Sequence, residues 1–424
     1  MMIPLVNNLT NNFFLGQVGT RELAVNGVAG VFYLLLSMVG YGLASGIQVQ
    51  LSRRAAVQDY NGIARLFISA AMLTTFLSLC LMIVSMWVAP LIFGLSLHSD
   101  EHIVLSINYL FIRVWGLPFL MLTQLANSFY ISTARSQYLM WGSLVATVLN
   151  IGLDYTLIPG HFGAPKMGIE GAAVASLVAE VGGCAAMWGL FFGRRLHLQF
   201  PIRRYLVPDL AQWRKMLVIA APLIVQYFFS IGGWLIFFIY VEHLGERELA
   251  ASQILRSIFS FIGIFAWAFA TTTSTLVSNI IGQGRKAEVL PLVHRIAGIS
   301  LVFSGSLAAL LFFGARFYLS LFTNDAALIE LSIPSLLVIA VASLMMAVST
   351  VMFNAVVGIG RTLINLITEV ICVGCYLIYC SVVIEHLRLP LQYAWMSEFV
   401  YWSTLLIISY TVLRLGKWKR KVKL

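Results

Sequence analysis

Long apolar stretches alternate with short polar breaks along the whole chain, and none shows the every-other-residue alternation of a half-buried strand. Twelve runs can be delimited, at roughly 2–18, 22–51, 64–96, 104–132, 137–159, 168–193, 213–242, 248–281, 289–321, 328–358, 363–384 and 391–414. Most reach the ~20 residues that an α-helix needs to cross a hydrocarbon core of about 30 Å. Backbone polar groups find no water in such a core, so the runs are predicted as helices; they are too long for barrel strands. The pattern predicts an all-α polytopic membrane protein with no sizeable soluble domain. Composition agrees, with 60% hydrophobic and 10% charged residues, against about 25% charged in a soluble domain.

The breaks carry a repeat. GTRELA at 19–24 returns as GERELA at 245–250, 226 residues later. At the same offset Arg135-Ser136 meets Arg361-Thr362, Ala44 meets Ala270, and Ser106-Ile107 meets Ser332-Ile333. Both R-E-L-A copies fall between the first and second runs of a half, and both R-[ST] pairs between the fourth and fifth. The expected organisation is an N-terminal lobe at 1–193, a cytoplasmic linker at 194–212, a C-terminal lobe at 213–415 and a basic tail at 416–424. Six spans per lobe give both the same orientation, as in transporters built from parallel repeats, with a cleft expected between them. Met1 aligns with Tyr227 although the second unit's first run begins near Trp213, so the first unit lacks about fourteen residues. Either the natural start lies upstream, or the first span is short and must tilt or be braced. No cleavable signal sequence is expected.

The formal charge of +10 is explained by placement. With both termini cytoplasmic, 20 of the 27 Lys and Arg residues fall in inside loops and the tail. The opposite loops hold Arg21, Lys166, Arg247 and Arg388, while Arg113, Arg256 and Arg316 fall within runs. Such asymmetry is the positive-inside rule. The basic balance then reflects topology and contact with anionic lipid, with no nucleic-acid partner expected. The linker mixes arginines with aromatic and leucine residues, which fits either a helix lying on the membrane surface or a solvated connector.

Catalytic constellations are absent from the reading. Cys80, Cys184, Cys372, Cys375 and Cys380 lie in apolar runs and are expected to pack; the C-x-x-C lacks a second ligand pair. The seven histidines show no ligand spacing and no phosphate-binding loop occurs, so neither an enzyme nor an ATP-driven pump is expected.

Four segments carry a family likeness: NNFFLGQVGTRELA at 11–24, NIGLDYTLI at 150–158, GIEGAAVAS at 168–176 and TLVSNIIGQGRKAEV at 275–289. Through them the chain resembles the multidrug and toxic compound extrusion (MATE) transporters of prokaryotic type over essentially its whole length. The resemblance implies twelve helices in two six-helix lobes. It also implies a cation site in the N-terminal lobe, built from a first-helix aspartate, an asparagine and aspartate one turn apart on the fifth helix, and a small hydroxyl on the sixth. Asn150 and Asp154 match the fifth-helix pair and Ser176 the hydroxyl, whereas Asn11 stands where the aspartate is expected.

Spacing i to i+4 puts Asn150 and Asp154 on one helix face, where a carbonyl oxygen and a carboxylate could share a sodium ion or a proton. A carboxylate at membrane depth tends to face a cavity and to keep a partner. The replacement at Asn11 removes a negative charge, which weakens sodium binding and favours a protonation switch at Asp154. The other reading has Asp154, near the outer end of its run, hydrated at the interface. No other metal and no cofactor is expected.

Further polar groups sit within runs. Arg256 is the leading candidate to pair with a C-lobe carboxylate or meet an anionic substrate group; Glu180 and Glu369 follow, then Arg113 and Glu398. Each also has a snorkelling or interhelical-pair reading. In some branches the resemblance implies a coupling carboxylate in the C-lobe, and the seventh run holds Gln226, Ser230 and Trp234 in its place. Tyr41, Tyr130, Trp234, Trp267 and Tyr376 are candidates to line a cleft for planar organic cations, or to pack as ordinary aromatics.

The expected function is secondary antiport: export of amphipathic organic solutes against H⁺ or Na⁺ by alternating access, in a bacterial plasma membrane, as a monomer. The alternative is a lipid-linked glycan flippase of a related two-lobed superfamily, which would need a cationic cleft. The charge asymmetry yields a direct test. In a background with the native cysteines replaced, Arg203→Cys should react with a membrane-impermeant maleimide only from the cytoplasmic side and Lys166→Cys only from the opposite side; the reverse labelling would invert the topology.

Overall fold

The computed structural model describes residues 14–15, 20–96, 99–416 and 418. The run predicted at 2–18, with Asn11, therefore lies outside the described residues except for Phe14 and Leu15, as does most of the basic tail. All regular structure among the described residues is helical.

Two compact units divide at Ile224/Val225. The N-terminal unit contains α1 (Thr20–Ala56), α2 (Tyr60–Ser96), α3 (Asp100–Arg113), α4 (Leu117–Ser132), α5 (Gln137–Leu157) and α6 (Gly168–Gly193). Helix α7 (Leu210–Glu242) carries the boundary, and the C-terminal unit continues with α8 (Glu246–Gly282), α9 (Val289–Phe313), α10 (Ala326–Gly358), α11 (Thr362–Cys380) and α12 (Ser397–Leu415). Among the described residues, ten helical stretches are long and apolar enough to cross a bilayer. Helix α5 falls short of that measure because Asn150 and Asp154 lower its hydropathy.

The duplication is written in the backbone. Thr20–Ala56 returns as Glu246–Gly282 and Asp100–Ser132 as Ala326–Gly358, each bound 226 residues on. Left-handed residues repeat as well: Gln58 and Gly284 follow one helix pair, Ala134 and Gly360 the other. In each case the next residue's N–H reaches back five positions, Asp59 to Arg54 O, Arg285 to Ile280 O, Arg135 to Tyr130 O and Arg361 to Val356 O. These are Schellman ends, which satisfy carbonyls the helix leaves orphaned. The C-terminal copies use glycine, which takes this conformation without a Cβ penalty.

The copies differ at one helix. The C-terminal α10 is continuous, whereas its N-terminal counterpart breaks into a 3₁₀ turn at Val114–Gly116 between α3 and α4. Smaller departures from the predicted runs are a stop at Phe313 before a separate turn Ala315–Ser320, and a π turn over Ser381–His386.

Lipid tails are as apolar as leucine, so hydrophobicity does not press these helices together; close packing and interhelical hydrogen bonds do. Small hydroxyls serve that purpose at matching places. Ser52 donates to Ser132 (3.0 Å), and 226 residues later Ser278 donates to Gly358 O (2.8 Å). Aromatic packing adds to it in the N-terminal unit, where Phe67, Phe129 and Phe191 are buried together.

Asp209 caps α7, accepting from the Gln212 backbone N–H (3.0 Å) and from Arg65 (2.6 Å). The Gln212 bond, with the Arg65 guanidinium, holds this carboxyl below its ordinary value. A depressed value means stability that is present above the unfolded carboxyl value near 4 and lost as pH falls through the lower folded value. Asp209→Asn should therefore remove part of the acid-induced drop in melting temperature of the detergent-solubilised chain; an unchanged acid limb would show that this cap and ion pair add nothing.

Candidate functional site

Helix α5 is inside out. Its buried positions are Gly142, Asn150 and Asp154, while Met140, Trp141, Leu144, Val148 and Tyr155 are exposed. In water such a helix would invert; next to hydrocarbon the apolar face is the one that can be left outside. Asp154 has no exposed surface at all and Asn150 only 1%. The carboxylate is thus enclosed and not hydrated at an interface.

The partner of that polar face is α6. Gly142 lies against Met187, Gly183 against Ala146, Gly182 against Leu149 and Gly171 against Leu157, so the two helices run antiparallel in tight register. That register sets Asp154 level with positions 175–176, and Ser176 is itself buried. Asn150, Asp154 and Ser176 therefore share one seam, while Asn11 is outside the described residues.

A second cluster adjoins it. Arg113, the last residue of α3, donates to Glu180 of α6 (Nη1 to Oε1, 2.9 Å), and the Tyr33 hydroxyl of α1 donates to the other oxygen, Oε2, at 2.8 Å. The guanidinium also lies 4.0 Å from the Tyr33 ring centroid, a cation–π contact worth up to about 2 kcal/mol where water is excluded. Glu180 stands one turn from Ser176 on α6, which sets the ion pair beside the seam within the N-terminal unit. Gly116 makes room for it: a Cβ there would collide with Glu180 Oε2.

The C-terminal unit buries carboxyls differently. Glu369 of α11 accepts from Ser230 and from Tyr401 (2.8 Å), and Glu398 accepts from Trp402 Nε1 (2.8 Å). Both are buried, and among the described residues neither has an Arg, Lys or His at ion-pair distance. Arg256 does not pair with either: it is exposed, 5.1 Å from the Phe238 ring centroid. It stands on an exposed face of α8.

The aromatic candidates separate in the same way. Trp234 packs in a cluster with Phe237, Phe259 and Trp395, and Tyr130 is buried with its hydroxyl on Met187 O, so these are core residues. Tyr376 is buried too, whereas Tyr41 and Trp267 are exposed.

Sequence reasoning missed Tyr33 and Gly116, and noted Arg113 and Glu180 without joining them. A signal was present in the repeat. At the 226-residue offset Tyr33, Arg113, Gly116 and Glu180 correspond to Phe259, Ile339, Ala342 and Leu406, so polarity departs between the copies at three of these positions and a methyl is added at the fourth.

Comparison with known proteins places this geometry in context. The family profile MatE matches residues 1–156 and 222–382. A Thermotoga maritima protein called probable multidrug resistance protein NorM is 28% identical over 283 residues, 65% of this chain and 59% of that protein. The match thus spans less than two thirds of that relative's length. A Pseudomonas putida protein of the same name is 24% identical over 372 residues, covering 86% of this chain and 80% of its own. Among solved structures, the outward-facing conformation of a multidrug resistance MATE family transporter of the MOP superfamily superposes with a TM-score of 0.90 at 17% identity, over 100% of this chain and 94% of the other.

The Gly116 contact yields a test. Gly116→Ala forces the Glu180 carboxylate aside, and should destabilise the chain by roughly 1–3 kcal/mol, the usual range for overpacking. The loss should shrink when Glu180 is already shortened to Ser, read as a non-additive double-mutant cycle in melting temperature; strict additivity would mean the two residues do not touch.

Proposed function

We propose that this chain, which belongs to the MatE family of membrane transporters, exports amphipathic organic solutes or drugs in exchange for H⁺ or Na⁺ moving inward. It works by alternating access, as a monomer with both termini cytoplasmic, in a bacterial plasma membrane. No cofactor is needed beyond the coupling ion. The names of the relatives support export of this solute class.

One observation carries the coupling part: α5 turns Asn150 and Asp154 inward while its exposed face is apolar. An enclosed carboxylate gains or loses a whole charge when a proton or sodium ion arrives, and at membrane depth that change reweights any two helix arrangements that hydrate it differently. To drive a solute outward, ion and solute must each prefer opposite arrangements; a shift from mostly one to mostly the other needs a differential affinity of about 5.5 kcal/mol. Asp154 binds the coupling ion in this scheme, Asn150 and Ser176 supply oxygens beside it, and Asn11 is the departure from the family pattern.

The flippase reading is weaker because it needs uncommitted positive charge. Arg113 is already tied to Glu180, which removes one of the two cations on which that reading stands.

The test uses purified chain in liposomes with an imposed pH or sodium gradient. A fluorescent organic cation should accumulate, and Asp154→Asn should lower the gradient-driven rate by at least ~10-fold, the factor that corresponds to about 1.4 kcal/mol, with the melting temperature retained. Uptake unaltered in the variant would remove Asp154 from the coupling site, and lipid scrambling without gradient dependence would favour the flippase.

A further inference from the structure

We infer that the outer face of α5 and α6 carries a binding site for an anionic phospholipid, its acyl chain lying in a groove between the two helices and its phosphate on Arg194 and Arg195. The site is separate from Asp154, which is buried on the other side of the same helix pair, and from any transported solute.

The groove is made by what α6 omits. Ala186, Gly189, Leu190 and Gly193 recur at the three- and four-residue spacing of one helix face. With Trp141 and Val145 of α5 they line a cavity of about 520 Å³ that ends at Arg194. A Cβ added at Gly189 or at Gly193 would meet nothing within 4 Å, so the space is open and not filled from a neighbouring helix. Both glycines are exposed, as are Trp141 and Phe192. From Ala186 to Arg194 the groove runs roughly 12 Å, at about 1.5 Å per residue. Apart from Arg194 and the indole N–H its side chains are apolar, which suits hydrocarbon.

The head of the groove is positively charged and uncommitted. Arg194 and Arg195 are exposed, and among the described residues neither has a carboxylate at ion-pair distance. Their backbone is fixed. Helix α6 ends with the Arg194 N–H on Leu190 O (3.0 Å) and the Arg195 N–H on Phe192 O (2.9 Å), and Arg195 takes a left-handed φ of 55°. The next residue, Leu196, is buried with Phe200 and Ile202 in the core of the N-terminal unit. Two successive guanidiniums thus stand where an apolar groove opens, near a tryptophan of the kind that settles at headgroup level. A ligand that answers both halves needs a negative head and an apolar tail. Basic pockets between membrane helices take anionic lipid head groups for this reason, and the bilayer supplies such a ligand in the leaflet these arginines face, the cytoplasmic one in the proposed topology.

The duplicate does not keep the small residues. At the 226-residue offset Ala186 and Gly189 become Val412 and Leu415, and Trp141 and Val145 become Ile367 and Ile371. The scaffold therefore does not require the gap. A second copy of the chain is the other occupant that small residues invite, but a two-fold contact through this face would set the same arginines of both copies together. Charge favours the lipid.

The test follows the melting temperature of the full chain in detergent during titration with dioleoylphosphatidylglycerol or dioleoylphosphatidylcholine, which share acyl chains and differ in head charge. Phosphatidylglycerol should raise it by a few degrees, as ligand linkage requires, and phosphatidylcholine should act only at higher concentration. R194Q/R195Q should raise the half-saturating concentration of phosphatidylglycerol by roughly 20-fold, about 5-fold per arginine, which corresponds to about 1 kcal/mol for each basic residue at an anionic surface. Gly189→Leu, whose side chain has room, should weaken both lipids. R203Q/R204Q removes the same charge from two exposed linker arginines and should bind phosphatidylglycerol as the native chain does. Inorganic phosphate at equal ionic strength should have no effect.

Equal losses in R194Q/R195Q and R203Q/R204Q would mean diffuse attraction to the membrane surface and overturn the site. A response to inorganic phosphate, an unchanged lipid response in Gly189→Leu, or a dimer that Gly189→Leu breaks would overturn it as well. If Gly189→Leu does not fold, Ala186→Val, the residue of the duplicate, narrows the same groove. Lipid binding is read here without transport, so its failure leaves the antiport reading standing, and a failure of gradient-driven uptake leaves the lipid site standing.

Discussion

A polar group carried into hydrocarbon must bring its partners with it, and this constraint shapes the protein at every level. It makes each segment a helix, because only then are backbone N–H and C=O groups answered within the segment. It explains why serines and glycines populate the helix contacts, as at Ser52, Ser132, Ser278 and Gly358. It turns α5 inside out, with Asn150 and Asp154 inward and Trp141, Leu144 and Val148 outward. Where an aqueous protein would hide the apolar face, this one hides the polar face, and the hidden face is where ion chemistry can occur.

The duplication separates what the fold needs from what the function needs. Both units repeat helix bounds, left-handed ends and helix-locking hydroxyls at a common offset, so these belong to the scaffold. Chemistry does not repeat. The N-terminal unit combines Asp154 with an ion pair, Arg113 and Glu180. The C-terminal unit buries Glu369 and Glu398 on hydroxyl and indole donors. A copied scaffold with divergent buried charge is what two units require if they are to respond differently to one ion.

How much of this was legible in the sequence follows from the range over which each feature acts. Helices, their number and the repeat are local or periodic, and the hydrophobic runs displayed them. Asn150 and Asp154 sit one turn apart, so their shared face could be read from spacing. The pair Arg113 and Glu180 is separated by 67 residues, and nothing local joins them. Gly116 looked like one more glycine until the carboxylate opposite it was placed. Arg256 shows the converse: charge within an apolar run says that a group needs an answer, and Arg256 lies on an exposed helix face over Phe238, with no carboxylate at ion-pair distance among the described residues.

The break at Val114–Gly116 gives the pocket mechanical meaning. Arg113 closes α3 and Leu117 opens α4, so the guanidinium is attached to a joint where its C-terminal counterpart has an unbroken helix. Straight helices resist bending because their hydrogen-bond ladder is continuous, and they yield where it is interrupted. Glu180 and Tyr33 anchor that guanidinium to α6 and α1. Three helices of the N-terminal unit therefore meet at one charged group, beside the turn where the copy in the C-terminal unit has none.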